Sequence, residues 1–449
     1  MTLKSWWAAN HTTVRNVAAF WLIGLCNNYG YVIMLSAAED IMDNIQNKPV
    51  DHNKTHCQED VSNWKCTSKS TGSVLIADNL PGLICKLTFP FFMHRIPFGL
   101  RHFLIVALQT SSYFIVAYSS SVAMSLTGVA IGSLGCGIGE ITFLGFSSFF
   151  PANTVAAWSS GTGGAGLIGS FSYAFLTQPN MGNLTPKVAL LVQLFIPAIF
   201  FVTYWFILEP PKEVYSPGFN PKTWIVPANF YNERTTTVIE PSSHKSTVLS
   251  EESQEGNRTV EELDPRKIPQ RKLRFLERIT LILPLLHLMI PVALVYVGEY
   301  MINQGLTQLI VFDCHQGFGL SVNSQYRWYQ VLYQLGVFLS RSSSRLFLLP
   351  QWSLYLLPLL QFANMTFFLF DAIYWFVPSI GIIFALIIFE GLLGGASYVN
   401  TFARIHKTVS PDIREYSLSI ASVGDTIGVT ASGFIAIPLH NWVCSIQKH

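Results

Sequence analysis

Stretches of some 20 predominantly apolar residues recur along the chain, each long enough to carry an α-helix across a hydrocarbon layer roughly 30 Å thick. They fall at 16–45, 71–93, 102–120, 122–150, 154–178, 187–208, 275–305, 325–347, 352–371, 376–404 and 413–440. A helix satisfies its own backbone hydrogen bonds, which lipid cannot do. The pattern therefore predicts an all-α polytopic membrane protein with about 11 transmembrane helices. One hydrophilic segment interrupts it. Residues 209–272 hold eight prolines, nine Lys or Arg and ten Asp or Glu. Such a mixture buries too little apolar surface to offset its ordering entropy and predicts a disordered cytosolic loop. The expected organisation is a cytosolic N-terminus (1–15), a six-helix bundle (16–208), the loop (209–272), a bundle of about five helices (273–440) and a C-terminal tail (441–449).

Composition sharpens the class. Half of the residues are hydrophobic and only 12% are charged, against roughly 25% in an average soluble protein. That balance excludes an ordinary soluble globule, a disordered chain and a nucleic-acid binder. Placing the N-terminus in the cytosol gathers most Lys and Arg on the cytosolic side, largely through the long loop. Cys57 and Cys66 then share the first non-cytosolic loop, as a disulfide or as two free thiols. Sequons occur at Asn10, Asn53, Asn183, Asn257 and Asn364. Only Asn53 lies in a roomy loop on that side, which makes it the expected glycan site.

The two segments around the long loop echo each other. Gly128/Gly132, Gly135/Gly139, Gly391/Gly395 and Gly424/Gly428 share four-residue spacing, which lets helix backbones approach closely. The first helix of each half carries adjacent amides, Asn27–Asn28 and Asn303–Gln304. The second carries a cation at similar depth, Lys86 and Arg341, and the fourth a carboxylate, Glu140 and Glu390. Together these matches predict parallel repeats of the major-facilitator type, with a binding site between two pseudo-symmetric helix bundles. The Asp-Arg-Gly-Arg-rich loop usual after helix two of that superfamily is replaced by HRIPFGLR.

Ionisable groups in a membrane are costly and by default face a cavity or a partner. Here they are Asp78, Lys86, Glu140, Glu299, Arg341, Glu390 and Asp425, each either an internal ion pair or part of a solute pathway. Tyr296, Glu299, Tyr300 and Asn303 share one helix face at three-to-four spacing, and Tyr326, Gln330, Gln334 and Arg341 another. Such a polar and aromatic stripe suits a wet pathway for a small polar solute. Lys86 and Arg341 are the natural anion sites, Arg presenting a planar fork of donors and Lys a point charge. Glu140, Glu299 and Glu390 are the proton-coupling candidates. The sequence presents no His-Glu-X-X-His metal motif and no Gly-X-Ser-X-Gly elbow, so neither metal, cofactor nor catalysis is expected.

Six blocks carry a family resemblance: FWLIGLCNNYGYVIMLSAAEDI (20–41), WSSGTGGAGLIG (158–169), EYMINQGL (299–306), YRWYQVLYQLGVFLSRSS (326–343), EGLLGGASYVNTF (390–402) and REYSLSIASVGDTIG (414–428). In that order they closely resemble the battenin family of lysosomal and vacuolar membrane proteins. The resemblance implies a major-facilitator-like fold and a role in clearing glycerophosphodiesters from the lysosome, with links to lysosomal pH, autophagy and trafficking. On that reading Lys86 and Arg341 take the phosphate, and Asn27, Asn28, Asn303 and Gln304 the hydroxyls. Tyr296, Tyr300 and Tyr329 face a choline-like cation, Gln330 joins the site, and Glu299 is the proton-linked or cation-facing carboxylate. The rival reading is a non-transporting scaffold that recruits cytosolic trafficking proteins through 209–272. Both ends depart from vertebrate battenins: Thr2 follows Met1, and Cys444-Ser-Ile-Gln continues into Lys448-His449, so neither lipidation signal is expected to act.

Overall fold

The computed structural model describes residues 3–45, 72–177, 181–212, 214–218, 220–227, 230, 273–343 and 348–446, with Cys57 and Glu59. The described residues hold eleven helical rods at the predicted positions. The first half contains α1 (Leu3–Ile45), α2 (Gly72–Thr88), α3 (Phe98–Ala117), α4 (Val122–Phe146) and α5 (Asn153–Thr177). Its sixth rod is built from α6 (Pro186–Val192), α7 (Phe195–Val202) and a π turn over Thr203–Ile207. The second half opens with α8 (Phe275–Thr280) and α9 (Leu286–Met301), extended by a π turn over Ile302–Leu306. It continues with α10 (Val322–Ser342), α11 (Ser353–Tyr374), α12 (Ile380–Thr408), α13 (Arg414–Ala421) and α14 (Val423–Ile446). Among the described residues, eight helical segments are long and apolar enough to cross a membrane. The rods of α2, α5 and α10 fall below that threshold because they are shorter or carry the polar groups of the interior.

Helix ends are set locally. Ser121, Ser321 and Ser379 accept hydrogen bonds from the backbone N–H of Met124, Ser324 and Gly381, occupying donors that a helix start leaves unpaired. The α14 helix continues through Ile446, so most of the expected tail extends the last rod. The hydrophilic segment is not uniform. Glu209 exchanges hydrogen bonds with Asn16, Val226 N–H donates to the Arg95 carbonyl at 2.9 Å, and Tyr215 packs edge-on against Phe230. Residues 231–272 lie outside the described residues, as do Asn53 and Cys66.

Packing repeats between the halves. In the first, α1 lies on α5, α2 on α4 and α3 on α4; in the second, α9 lies on α14, α10 on α12 and α11 on α12. Glycine makes the tightest crossings. A Cβ at Gly161 would stand 2.1 Å from the Trp21 carbonyl, and one at Gly428 2.3 Å from that of Ala293. The bundles meet along two seams, α5 against α10 and α2 against α14. At one end Ser419 Oγ donates to the Ile141 carbonyl at 2.8 Å and Arg278 donates to the Pro90 and Phe91 carbonyls. Large apolar side chains face outward, with Phe206 and Leu359 each 67% exposed, whereas Lys86 is 4% exposed. This inversion of a soluble protein's pattern matches a lipid surround.

For Cys57, neither alternative, a bridge to Cys66 or a free thiol, holds. Cys57 is bonded to Cys314, Cα to Cα 5.1 Å apart. A bridge within one loop was inferred from nearness in sequence, but the bundles fold the connection after α1 onto the connection after α9. The bond joins the two halves covalently. Cys444, near the end of α14, is also disulfide-bonded.

Candidate functional site

Between the bundles lies a chamber of about 100 Å³, bounded by α1, α2, α4 and α5 from one half and α9, α10, α12 and α14 from the other. At roughly 10–15 Å³ per water it holds several. Its polar wall comprises Asn28, Tyr31, Asp78, Asn79, Lys86, Glu140 and Thr162 from the first half. The second half supplies Tyr296, Tyr300, Tyr333, Gln334, Arg341, Tyr398, Asp425 and Thr426.

The two cations stand in corresponding places with different surroundings. Lys86 Nζ donates to Glu140 Oε2 at 2.5 Å, to Thr426 Oγ1 at 2.6 Å and to the Ser422 carbonyl at 3.1 Å, with Asp425 Oδ1 at 3.6 Å. It ties α4 of its own bundle to α14 of the other. Arg341 Nη1 donates to Thr162 Oγ1 at 2.5 Å and Nη2 to Tyr296 OH at 2.8 Å, while the guanidinium lies 4.2 Å from the centre of the Tyr398 ring. It too links its own bundle to the other, through α5. No carboxylate lies within ion-pair distance of it among the described residues, and its Nε has no acceptor. Tyr398 joins the two centres, because its hydroxyl donates to Glu140 Oε1 at 3.0 Å and accepts from Trp158 Nε1 at 3.2 Å. The two expected anion sites thus differ in surroundings: two carboxylates hold Lys86, whereas Arg341 has only hydroxyl and ring partners and an unpartnered Nε.

Of the other expected residues, Asn28, Tyr296 and Tyr300 line the chamber. Glu299 sits just behind the wall, accepting from the hydroxyl of Tyr333 and pressed against Gly394. Asn27, Asn303, Gln304, Tyr329, Gln330 and Glu390 do not line it. Asn303 Nδ2 donates to Glu390 Oε1 at 2.8 Å, and Tyr329 OH reaches the Ile310 carbonyl at 3.3 Å, so these serve the second bundle's interior. Asn27, Tyr329, Gln330 and Glu390 stand on other helices, and beyond Met301 the α-helical spacing gives way to a π turn over Ile302–Leu306.

The half-to-half match of amides also shifts by a turn. Asn27 Oδ1 fills the space beside Gly139, and Glu299 Oε2 the space beside Gly394. Trp21 beside Gly161 and Ala293 beside Gly428 give the same offset between α1 and α9. The counterpart of Asn27 is thus Glu299, and that of Tyr31 is Asn303. Sequence reasoning missed Tyr31, Thr162, Tyr398 and Thr426 as wall residues. Tyr398 and Thr162 sit in the family-like blocks at 390–402 and 158–169, the one signal that pointed to them. The sequence marks Asp78 and Asp425 only as intramembrane carboxylates.

A sequence model of the family described as "CLN3 protein" matches residues 18–446. Among curated proteins, battenin of Canis lupus familiaris is 39% identical over 442 residues, covering 96% of this chain and 92% of its own. Protein btn-1 of Neurospora crassa is 35% identical, covering 96% of this chain and 88% of its own. Among solved structures, the human organic anion transporter MFSD10 (TETRAN) superposes with a TM-score of 0.55 at 14% identity, over 96% of this chain and 99% of that one. The likeness shows a major-facilitator-like fold.

Proposed function

The chain belongs to the CLN3 protein (battenin) family, and from that premise we propose that it is a carrier moving small polar solutes with one anionic group, glycerophosphodiesters above all, by alternating access in lysosomal or vacuolar membranes. The observation that carries this reading is Arg341: a half-buried guanidinium at the seam, lining the chamber and with no carboxylate within ion-pair distance among the described residues. A phosphodiester supplies two non-bridging oxygens, the bidentate acceptor that such a planar fork prefers. The rings of Tyr31, Tyr296, Tyr300 and Tyr333 surround the remaining volume. They offer hydroxyls to a glycerol moiety and π-faces to a quaternary amine.

Exchange of access then requires the seams to part. Lys86 holds one seam through Asp425, Thr426 and Ser422, and Arg341 holds the other through Thr162. A solute phosphate that takes over the guanidinium releases Thr162 and loosens the α5–α10 seam as it binds. The disulfide to Cys57 supports placing the connections after α1 and α9 in an oxidising compartment. The decisive experiment is counterflow of labelled glycerophosphocholine, glycerophosphoinositol and glycerophosphoglycerol into vesicles holding the purified protein. Arg341→Ala is expected to lower exchange about 100-fold, the worth of one lost charge-assisted anion contact, while the protein still folds. Undiminished exchange by that variant would remove Arg341 from the site.

A further inference from the structure

We propose that Asp78 is the site at which a small monovalent cation binds and drives the transport cycle, an inference that rests on the carrier reading above. Asp78 is 3% exposed, and its Oδ2 has no hydrogen-bond partner. It lines the chamber and also a smaller cavity of about 10 Å³ set into the first bundle. That space suits about one water or one ion. Tyr113 lines the same small cavity, is 2% exposed, and its hydroxyl is likewise unpartnered. A carboxylate and a hydroxyl thus border a space of the right size, both short of a partner.

Besides Asp78, Lys86 and Arg341, the titratable groups around these two cavities are Tyr31 from α1, Tyr113 from α3, Cys136 and Glu140 from α4, Tyr296 and Tyr300 from α9, Tyr333 from α10, Tyr398 from α12 and Asp425 from α14. None of them is a cation. Lys86, two turns along Asp78's own helix, is held by Glu140 and Asp425, and Arg341 by Thr162, Tyr296 and the ring of Tyr398. An unpaired carboxylate in low dielectric is costly, so a mobile positive charge from solvent is its natural complement. The expected coupling carboxylates are less suited. Glu140 is paired with Lys86, while Glu299 and Glu390 line neither cavity and take hydrogen bonds from Tyr333 and Asn303.

Tyr31 gives the site a route to the other bundle. It lines both cavities, and its hydroxyl donates to Tyr300 OH at 2.8 Å across the interface. A cation at Asp78 cancels a charge beside that contact and so changes how readily the bundles part there. Occupancy of the side cavity and opening of the chamber become linked quantities.

The test uses the full chain in sealed vesicles, with labelled glycerophosphocholine as probe. Wild-type protein is expected to accumulate the probe against its gradient when one cation gradient is imposed. A pH gradient at equal sodium identifies a proton, and a sodium gradient at equal pH identifies a sodium ion. Asp78→Asn is expected to lower that accumulation about tenfold or more, the range of a coupling free energy, and to abolish its response to the imposed gradient. An unchanged thermal midpoint of the detergent-solubilised variant shows that it folds. Wild-type accumulation that responds to neither gradient, or gradient-driven accumulation undiminished in Asp78→Asn, overturns the proposal. Absence of wild-type counterflow instead removes the carrier reading and the coupling with it.

Discussion

Lys86 and Arg341 occupy matching helices of the two bundles, α2 and α10, yet their neighbourhoods differ in kind. Lys86 sits between two carboxylates, with the Thr426 hydroxyl and the Ser422 carbonyl completing its donors. Arg341 sits among two hydroxyls and an aromatic face. The same pseudo-symmetric position is thus internally neutralised in one half and left electrically open in the other. On the carrier reading proposed above, a duplicated fold would yield one fastening and one receptor by changing what faces a single cation.

Three variants probe that contrast, the largest expected effect first. Lys86→Met strands Glu140 and Asp425 in the interior. Breaking a buried pair from one side costs about 3–5 kcal/mol, read as a fall in the thermal midpoint of the detergent-solubilised protein. Adding Glu140→Gln to that variant is expected to recover part of the loss. If Arg341→Met proves as unstable as Lys86→Met, the division between fastening and receptor is wrong. Next, Arg341→Lys keeps the charge and discards the fork. Counterflow should fall about tenfold, roughly 1.4 kcal/mol, and undiminished counterflow in Arg341→Lys would show that planarity is not read. The smallest effect belongs to Tyr398→Phe, which retains the ring under Arg341 and removes the hydroxyl between Trp158 and Glu140. A stability loss of about 1 kcal/mol is expected with exchange little changed. A collapse of exchange would place that hydroxyl on the solute.

The sequence displayed the architecture well because lipid imposes a simple rule on it. Long apolar runs, small residues at helix crossings and rare intramembrane charges each have one dominant physical cause, and α1 through α14 fall where those signals predict. The wall of the chamber was only partly legible. Lys86, Arg341, Tyr296, Tyr300 and Asn28 follow from charge and helical spacing. Asn303 does not, because its amide donates to Glu390 inside the second bundle, a partner 87 positions away. The partners of Lys86 were equally hidden: Asp425 and Thr426 are more than 300 positions away, and only the docking of α14 on α2 brings them there. The pairing of Cys57 fails for the same reason, since proximity along the chain says little about loops that two bundles press together.

That last bond has a mechanical corollary. With Cys57 sewn to Cys314, the halves form a closed ring, one arc the main chain through residues 58–313 and the other the two sulfur atoms. A cut engineered between residues 231 and 272 would open the arc without freeing either half, and the pieces would migrate together until a reductant is added. Any swing of the bundles would be that of a hinged clasp whose pin lies in the connections after α1 and α9.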